Sequence, residues 1–60
     1  METKIKERRL ALGFTQLEIV ESVGITRQSY WRYESGQRVP DAMTAKRIAK
    51  VLETTVEKLF

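Results

Sequence analysis

Sixty residues suffice for one small domain, spanning 1–60, and no more. Eleven Lys and Arg against eight Asp and Glu leave a net charge of +3, a modest basic excess that suits an anionic partner without requiring one. There is no cysteine and no histidine, which excludes disulfides, thiolate zinc sites and the commonest catalytic nucleophile and base. A chain this short buries only about 60% of its unfolded surface. Helix packing, with or without a dimer partner, is the remaining route to stability. The longest apolar run is Leu10-Ala11-Leu12, too short for a membrane span or the apolar region of a signal peptide, so a cytoplasmic location is expected.

In chain order, the first predicted helix runs from about Thr3 to Leu12, with Ile5, Arg9 and Leu12 on one face. Lys4, Lys6 and Arg8 are expected on its solvated side. Gly13 stands where a left-handed C-terminal cap belongs. Thr15-Gln16-Leu17-Glu18 is a capping box that opens a second helix: Thr15 accepts from the Glu18 amide, and the Glu18 carboxylate reaches back. Ile19, Val20 and Val23 point inward, and Gly24 ends the helix. Thr26 caps a third helix from Arg27 to about Ser35, with Tyr30 and Tyr33 on the core side. Arg27, Gln28, Trp31 and Arg32 fall mostly on the other side, and Gly36 stops the helix. Gln37-Arg38-Val39-Pro40 is a loop.

Asp41 then caps a fourth helix reaching about Leu52, whose inner face is read as Ala42, Ala45, Ile48, Ala49 and Leu52. Lys46, Arg47, Lys50 and Lys58 are expected at the surface. Thr55 is expected to cap a last turn from Val56 to Phe60, with Val56, Leu59 and Phe60 closing the core. The fold class is therefore all-α, with five helices and no strand.

Charge is uneven. Residues 14–23 carry Glu18 and Glu21 and no base, whereas residues 24–40 carry Arg27, Arg32 and Arg38 against Glu34 alone. Guanidinium groups match phosphate oxygens and guanine edges. Two short helices meeting across Gly24-Ile25-Thr26 form a helix-turn-helix pattern. Gly24 permits the turn, Ile25 plugs the corner, and Thr26 restarts the helix at once. Such a turn holds the second helix proud of the surface, where its N-terminal half fits a major groove.

On the stretches IKERRLALGFTQ, GITRQSYWRYESGQRVP and RIAKVLETTVEKLF, the chain resembles the Cro/cI-type (lambda-repressor-like, XRE-type) helix-turn-helix domains from Ile5 to Phe60. The resemblance implies a compact five-helix lambda-repressor-like bundle that binds double-stranded DNA through helices 2 and 3. It implies that Arg27, Gln28 and Arg32 reach base edges. It also implies that Gln16 touches a phosphate beside the recognition helix, and that Arg9 and Glu34 form a buried structural pair. Gln37 and Arg38 fall in the loop along the DNA backbone, and Thr26 and Ser29 are further backbone candidates. Arginine is bidentate to guanine and glutamine to adenine, which suits Arg27 and Gln28 for base readout. Arg32 fits a phosphate as well as a base. Longer members carry a sensing or protease-like domain or a dimerising tail, and none is expected here.

Some residues depart from the family pattern. Val20 replaces the usual alanine and is expected to push helices 2 and 3 slightly apart. Tyr30 stands for an aliphatic residue, Trp31 for a small or polar one, and Glu53 for a common glycine. A left-handed Glu53 would carry about 1 kcal/mol of strain, so the fourth helix is expected to end differently. Trp31 is open between DNA, a partner and packing on the protein. Leu17 is a stray exposed leucine or a partner contact.

The leading expectation is a sequence-specific transcriptional regulator, a repressor, acting as a homodimer on a palindromic operator. The dimer forms on DNA if not before, by contact near Glu53 to Phe60. The alternative is a protein-interaction module, such as an antitoxin, adaptor or coactivator, anchored by Trp31 and Leu17. No enzyme activity, metal ion, cofactor, small-molecule ligand or membrane is implied.

Overall fold

The computed structural model describes residues 4–60. Its five helices are α1 (Lys4–Leu12), α2 (Gln16–Val23), α3 (Arg27–Glu34), α4 (Ala42–Val51) and α5 (Val56–Leu59), with no strand among the described residues. The expected start of α1 at Thr3 lies outside the described residues. Boundaries otherwise agree to within one residue, the usual fraying at helix ends.

Local chemistry sets these boundaries. Thr15 forms the full capping box with Glu18: Glu18 N–H donates to Thr15 Oγ1 at 3.1 Å and Thr15 N–H to Glu18 Oε1 at 2.8 Å. Thr26 accepts from the Ser29 amide and Asp41 from the Thr44 amide, both at 3.1 Å. Thr55 takes the cap position of α5 with extended backbone but makes no side-chain cap bond, contrary to the sequence expectation. The Lys58 amide donates instead to the Thr55 backbone carbonyl at 3.2 Å, and buried Leu59 ties the turn to the core.

Helix α2 packs on α3 and α4, α1 packs on α3 and α5, and α4 packs on α5. The core is Ile5, Ile19, Val20, Val23, Tyr30, Ala45, Ile48, Ala49, Leu52 and Leu59. Leu12, Phe14, Ile25, Tyr33, Val51 and Val56 pack half-buried around it. Two readings of the core are corrected. Ala42 is exposed, because the first residue of α4 lies beyond the contact with α2. Phe60 is 45% exposed, because α5 ends at Leu59 and the last residue turns past the core instead of into it. No helix among the described residues is long and apolar enough to cross a membrane.

Arg8 is a third correction. It does not join a solvated face with Lys4; it is half-buried and reaches the far end of α4. Its Nε donates to the Leu52 carbonyl at 2.8 Å and its Nη2 to the Glu53 carbonyl at 3.2 Å. Glu53 has φ +54°, the one positive value outside glycine among the described residues, so the left-handed cap forms despite its strain, contrary to the expectation of a different helix end. Arg8 holds the carbonyls of that strained residue and of the one before it.

Candidate nucleic-acid interface

The turn between α2 and α3 is built from three residues. Gly24 is left-handed at φ +82°, and its N–H donates to the Val20 carbonyl at 2.8 Å. The Ile25 N–H donates to the same carbonyl at 3.3 Å while its side chain packs on the core. Thr26 is extended, and α3 starts at the next residue. The Thr26 hydroxyl also donates to Ser29 Oγ at 2.8 Å, so these two hydroxyls form a fixed pair at the tip of α3.

Helix α3 is divided lengthwise. Tyr30 is fully buried, Glu34 is 3% exposed and Tyr33 is half-buried, which fixes one side to the protein. Arg27, Gln28, Trp31 and Arg32 are exposed on the other side. Residues three and four apart on a helix are neighbours, so Trp31 stands beside Arg27 and Gln28, and Arg32 stands one turn on from Gln28. Trp31 keeps 48% of its surface in solvent, so it is not folded away into the protein. Gln37 and Arg38 are exposed just past the helix, with backbone amides anchored on the Arg32 carbonyl.

Glu34 anchors the buried side. Its Oε2 accepts from Arg9 Nε at 2.8 Å, and its Oε1 accepts from Arg9 Nη2 and from Gln16 Nε2, each at 3.1 Å. Arg9 also donates through Nη1 to the Phe14 carbonyl at 2.9 Å. One carboxylate thus joins α1, α2 and α3. Burial alone would push the Glu34 carboxyl up, but the bonds from Arg9 and Gln16, beside the Tyr30 hydroxyl, more than offset this and hold it below the usual carboxylate range. The Arg9 guanidinium is raised mainly by its bond to Glu34. The Tyr30 hydroxyl is buried next to this pair. Burial and then the Glu34 charge push it up, so it stays a neutral phenol.

Because Arg9 compensates Glu34 in the interior, the exposed charge of α3 and the following loop is carried by Arg27, Arg32 and Arg38 alone. The surface is therefore more positive than the residue count of this stretch suggests. Fixed positive charge on a protruding helix tip is what binding a polyanion requires.

The structure brings Gln16, Thr26, Arg27, Gln28, Ser29, Arg32, Gln37 and Arg38 into two connected elements, α2–turn–α3 and the loop beyond. Arg9 and Glu34 lie behind them as the expected buried pair. The bond from Gln16 to Glu34 was missed, because only the three-dimensional packing of α2 on α3 brings these residues, 18 positions apart, together.

Residues 5–59 match the profile of a family described as helix-turn-helix. The chain belongs to the XRE-type helix-turn-helix family of DNA-binding transcriptional regulators. Members similar to it come from bacteria and archaea. An uncharacterized HTH-type transcriptional regulator, YgzD of Bacillus subtilis, is 37% identical, with the whole chain aligned to 91% of the relative. Another such regulator from Methanothermobacter thermautotrophicus is 46% identical, with the whole chain aligned to 88% of it. The cryptic phage CTXphi transcriptional repressor RstR of Vibrio cholerae is 38% identical over 93% of the chain, which covers 54% of that longer protein. No solved structure gave a significant match. The family is one of regulators, not an enzyme class, and the five-helix architecture expected from the resemblance is the one found.

Proposed function

We propose that residues 1–60 act as one sequence-specific reader of double-stranded DNA, with α3 in the major groove. The carrying observation is the lengthwise division of α3: Tyr30, Tyr33 and Glu34 lock one side, while Arg27, Gln28 and Arg32 stand exposed on the other. Arg27 and Gln28 read base edges from the first turn, and Arg32 follows one turn later at a base or the adjoining phosphate. Gln16, Thr26, Ser29, Gln37 and Arg38 hold the backbone on either side, fixing register without carrying sequence. Trp31, beside Arg27 on the same side, packs on a thymine methyl or a sugar.

One short helix reads few base pairs, so two copies bind a palindrome with half-sites about 10–11 bp apart. Exposed Phe60 supports a symmetric contact in the region from Glu53 to Phe60. The output is repression, the activity that the name of the phage relative RstR gives to that protein. The working location is the cell interior, where the DNA lies.

Binding-site selection from random duplexes, followed by affinity measurement across salt concentrations, tests this reading. An enriched palindrome is expected, with affinity falling steeply as salt rises. Arg27→Ala with Gln28→Ala should reduce specific binding by at least about thirtyfold, two base contacts at about 1–3 kcal/mol each. Exposed Leu17 and Trp31 give the protein-interaction reading its footing. Recovery of no enriched sequence would favour that reading instead.

A further inference from the structure

Gln16 is the first residue of α2 and is half-buried, with its amide against Glu34. An ionised carboxylate has no proton to give, so it accepts only. Glu34 is held ionised by Arg9, which binds both of its oxygens. The Gln16 amide must therefore turn its NH2 side, not its carbonyl, toward Glu34. One Nε2 hydrogen is used in that bond, which leaves the second for another acceptor. The backbone amides of Gln16 and Leu17 stand at the start of α2, at positions where a helix offers them no internal partner.

We infer that Glu34 is a positioning residue for DNA binding: it fixes the flip of the Gln16 amide so that a hydrogen, not a lone pair, faces the phosphate. This rests on the reading that Gln16 meets the DNA backbone. A phosphate oxygen accepts only, so for a phosphate beside Nε2, an amide with its carbonyl oxygen in that place would present a lone pair to an anion and weaken the contact. Glu34 touches no DNA itself; it acts through Gln16. The buried pair is then more than a tie between α1 and α3, because the same carboxylate sets the chemical sense of a surface donor on α2.

Glu34→Gln isolates the effect. The new amide keeps the shape of the carboxylate but accepts through one neutral oxygen, where Arg9 and Gln16 together donate to two charged ones. The Gln16 amide thereby loses its charged acceptor, and its flip is no longer fixed. The selected duplex is titrated into the wild type, Gln16→Ala, Glu34→Gln and the double variant, at a temperature where circular dichroism shows all four folded. Each single variant should weaken binding about fivefold, the worth of one hydrogen bond. The double variant should be no weaker than Gln16→Ala. The salt slope should not change, because no phosphate-neutralising charge is lost.

Glu34→Gln binding as wild type while Gln16→Ala is weak would overturn the inference and leave the phosphate reading intact. Additive losses would overturn it as well. Gln16→Ala binding as wild type would remove the phosphate reading and this inference together, leaving base readout by Arg27 and Gln28 to its own test. Should Glu34→Gln not fold, nuclear magnetic resonance on the free wild-type protein decides. The Gln16 side-chain amide should exchange with water about fivefold more slowly than that of exposed Gln37. Equal rates would overturn the inference.

Discussion

At the scale of single residues, the distribution of titrating groups makes a definite claim about pH. Glu34 is held below the ordinary carboxylate range inside the fold. Asp41 is lowered too, by its bonds from the Thr44 side chain and backbone at the start of α4. Both prefer the ionised form when folded, so their contribution is present above the unfolded carboxylate pKa of about 4 and is lost as pH falls through the lower folded values. No histidine exists to titrate between about pH 5 and 8. The thermal midpoint should therefore be nearly level across that range and drop below about pH 4. A midpoint that slides steadily between pH 8 and pH 5 would contradict the assignment. The pair Arg9–Glu34 was legible in the sequence through the family pattern. The Gln16 and Arg8 contacts were not, because long polar side chains choose partners by what tertiary packing brings within reach.

At the scale of elements, three of the helix ends share one closure. Helices α1, α3 and α4 each end in paired reverse bonds from two successive residues just past the helix: Gly13 and Phe14, Gly36 and Gln37, Glu53 and Thr54. Gly13 and Gly36 adopt the required left-handed backbone freely, at φ +78° and +81°, whereas Glu53 does so at φ +54°. Glu53→Gly should therefore raise stability by about 1 kcal/mol, a rise of about 4–8 °C in melting temperature for a domain this small. Arg8→Ala should lower stability by about 1–2 kcal/mol by releasing the two carbonyls it binds. Calorimetry of the two variants checks both signs. Helix boundaries were readable because threonine, aspartate and glycine signals act locally. The inward faces were readable where α2, α3 and α4 are long enough to show a period. Ala42 and Phe60 were misread because both sit at the outermost turn, where period alone does not say whether a neighbour is present.

At the scale of the whole molecule, size decides what kind of dimer is available. The Cα framework spans 23 × 23 × 22 Å. Side chains add about 3 Å on each side, giving a body about 30 Å wide against the roughly 34 Å between half-sites one DNA turn apart. Two copies placed as proposed would meet only through side chains that reach across the gap, with Phe60 among the exposed apolar ones. Such a contact falls short of the roughly 1,000 Å² expected of a stable free interface. Sedimentation should accordingly show a monomer at micromolar concentration without DNA, and a cooperative two-to-one complex on the selected palindrome. Inserting about 5 bp between half-sites, half a turn, should abolish that cooperativity. A stable dimer in free solution would refute this arrangement.

The lengthwise division of α3 has a consequence for how such a protein could change its target. The side chains of Arg27, Gln28 and Arg32 make no hydrogen bond to the described residues and add nothing to the core, while Tyr30, Tyr33 and Glu34 do the holding. The reading side is thus a replaceable typeface on a fixed press. Randomising those three positions should yield folded proteins with new operators, so that specificity can drift without a toll on foldability.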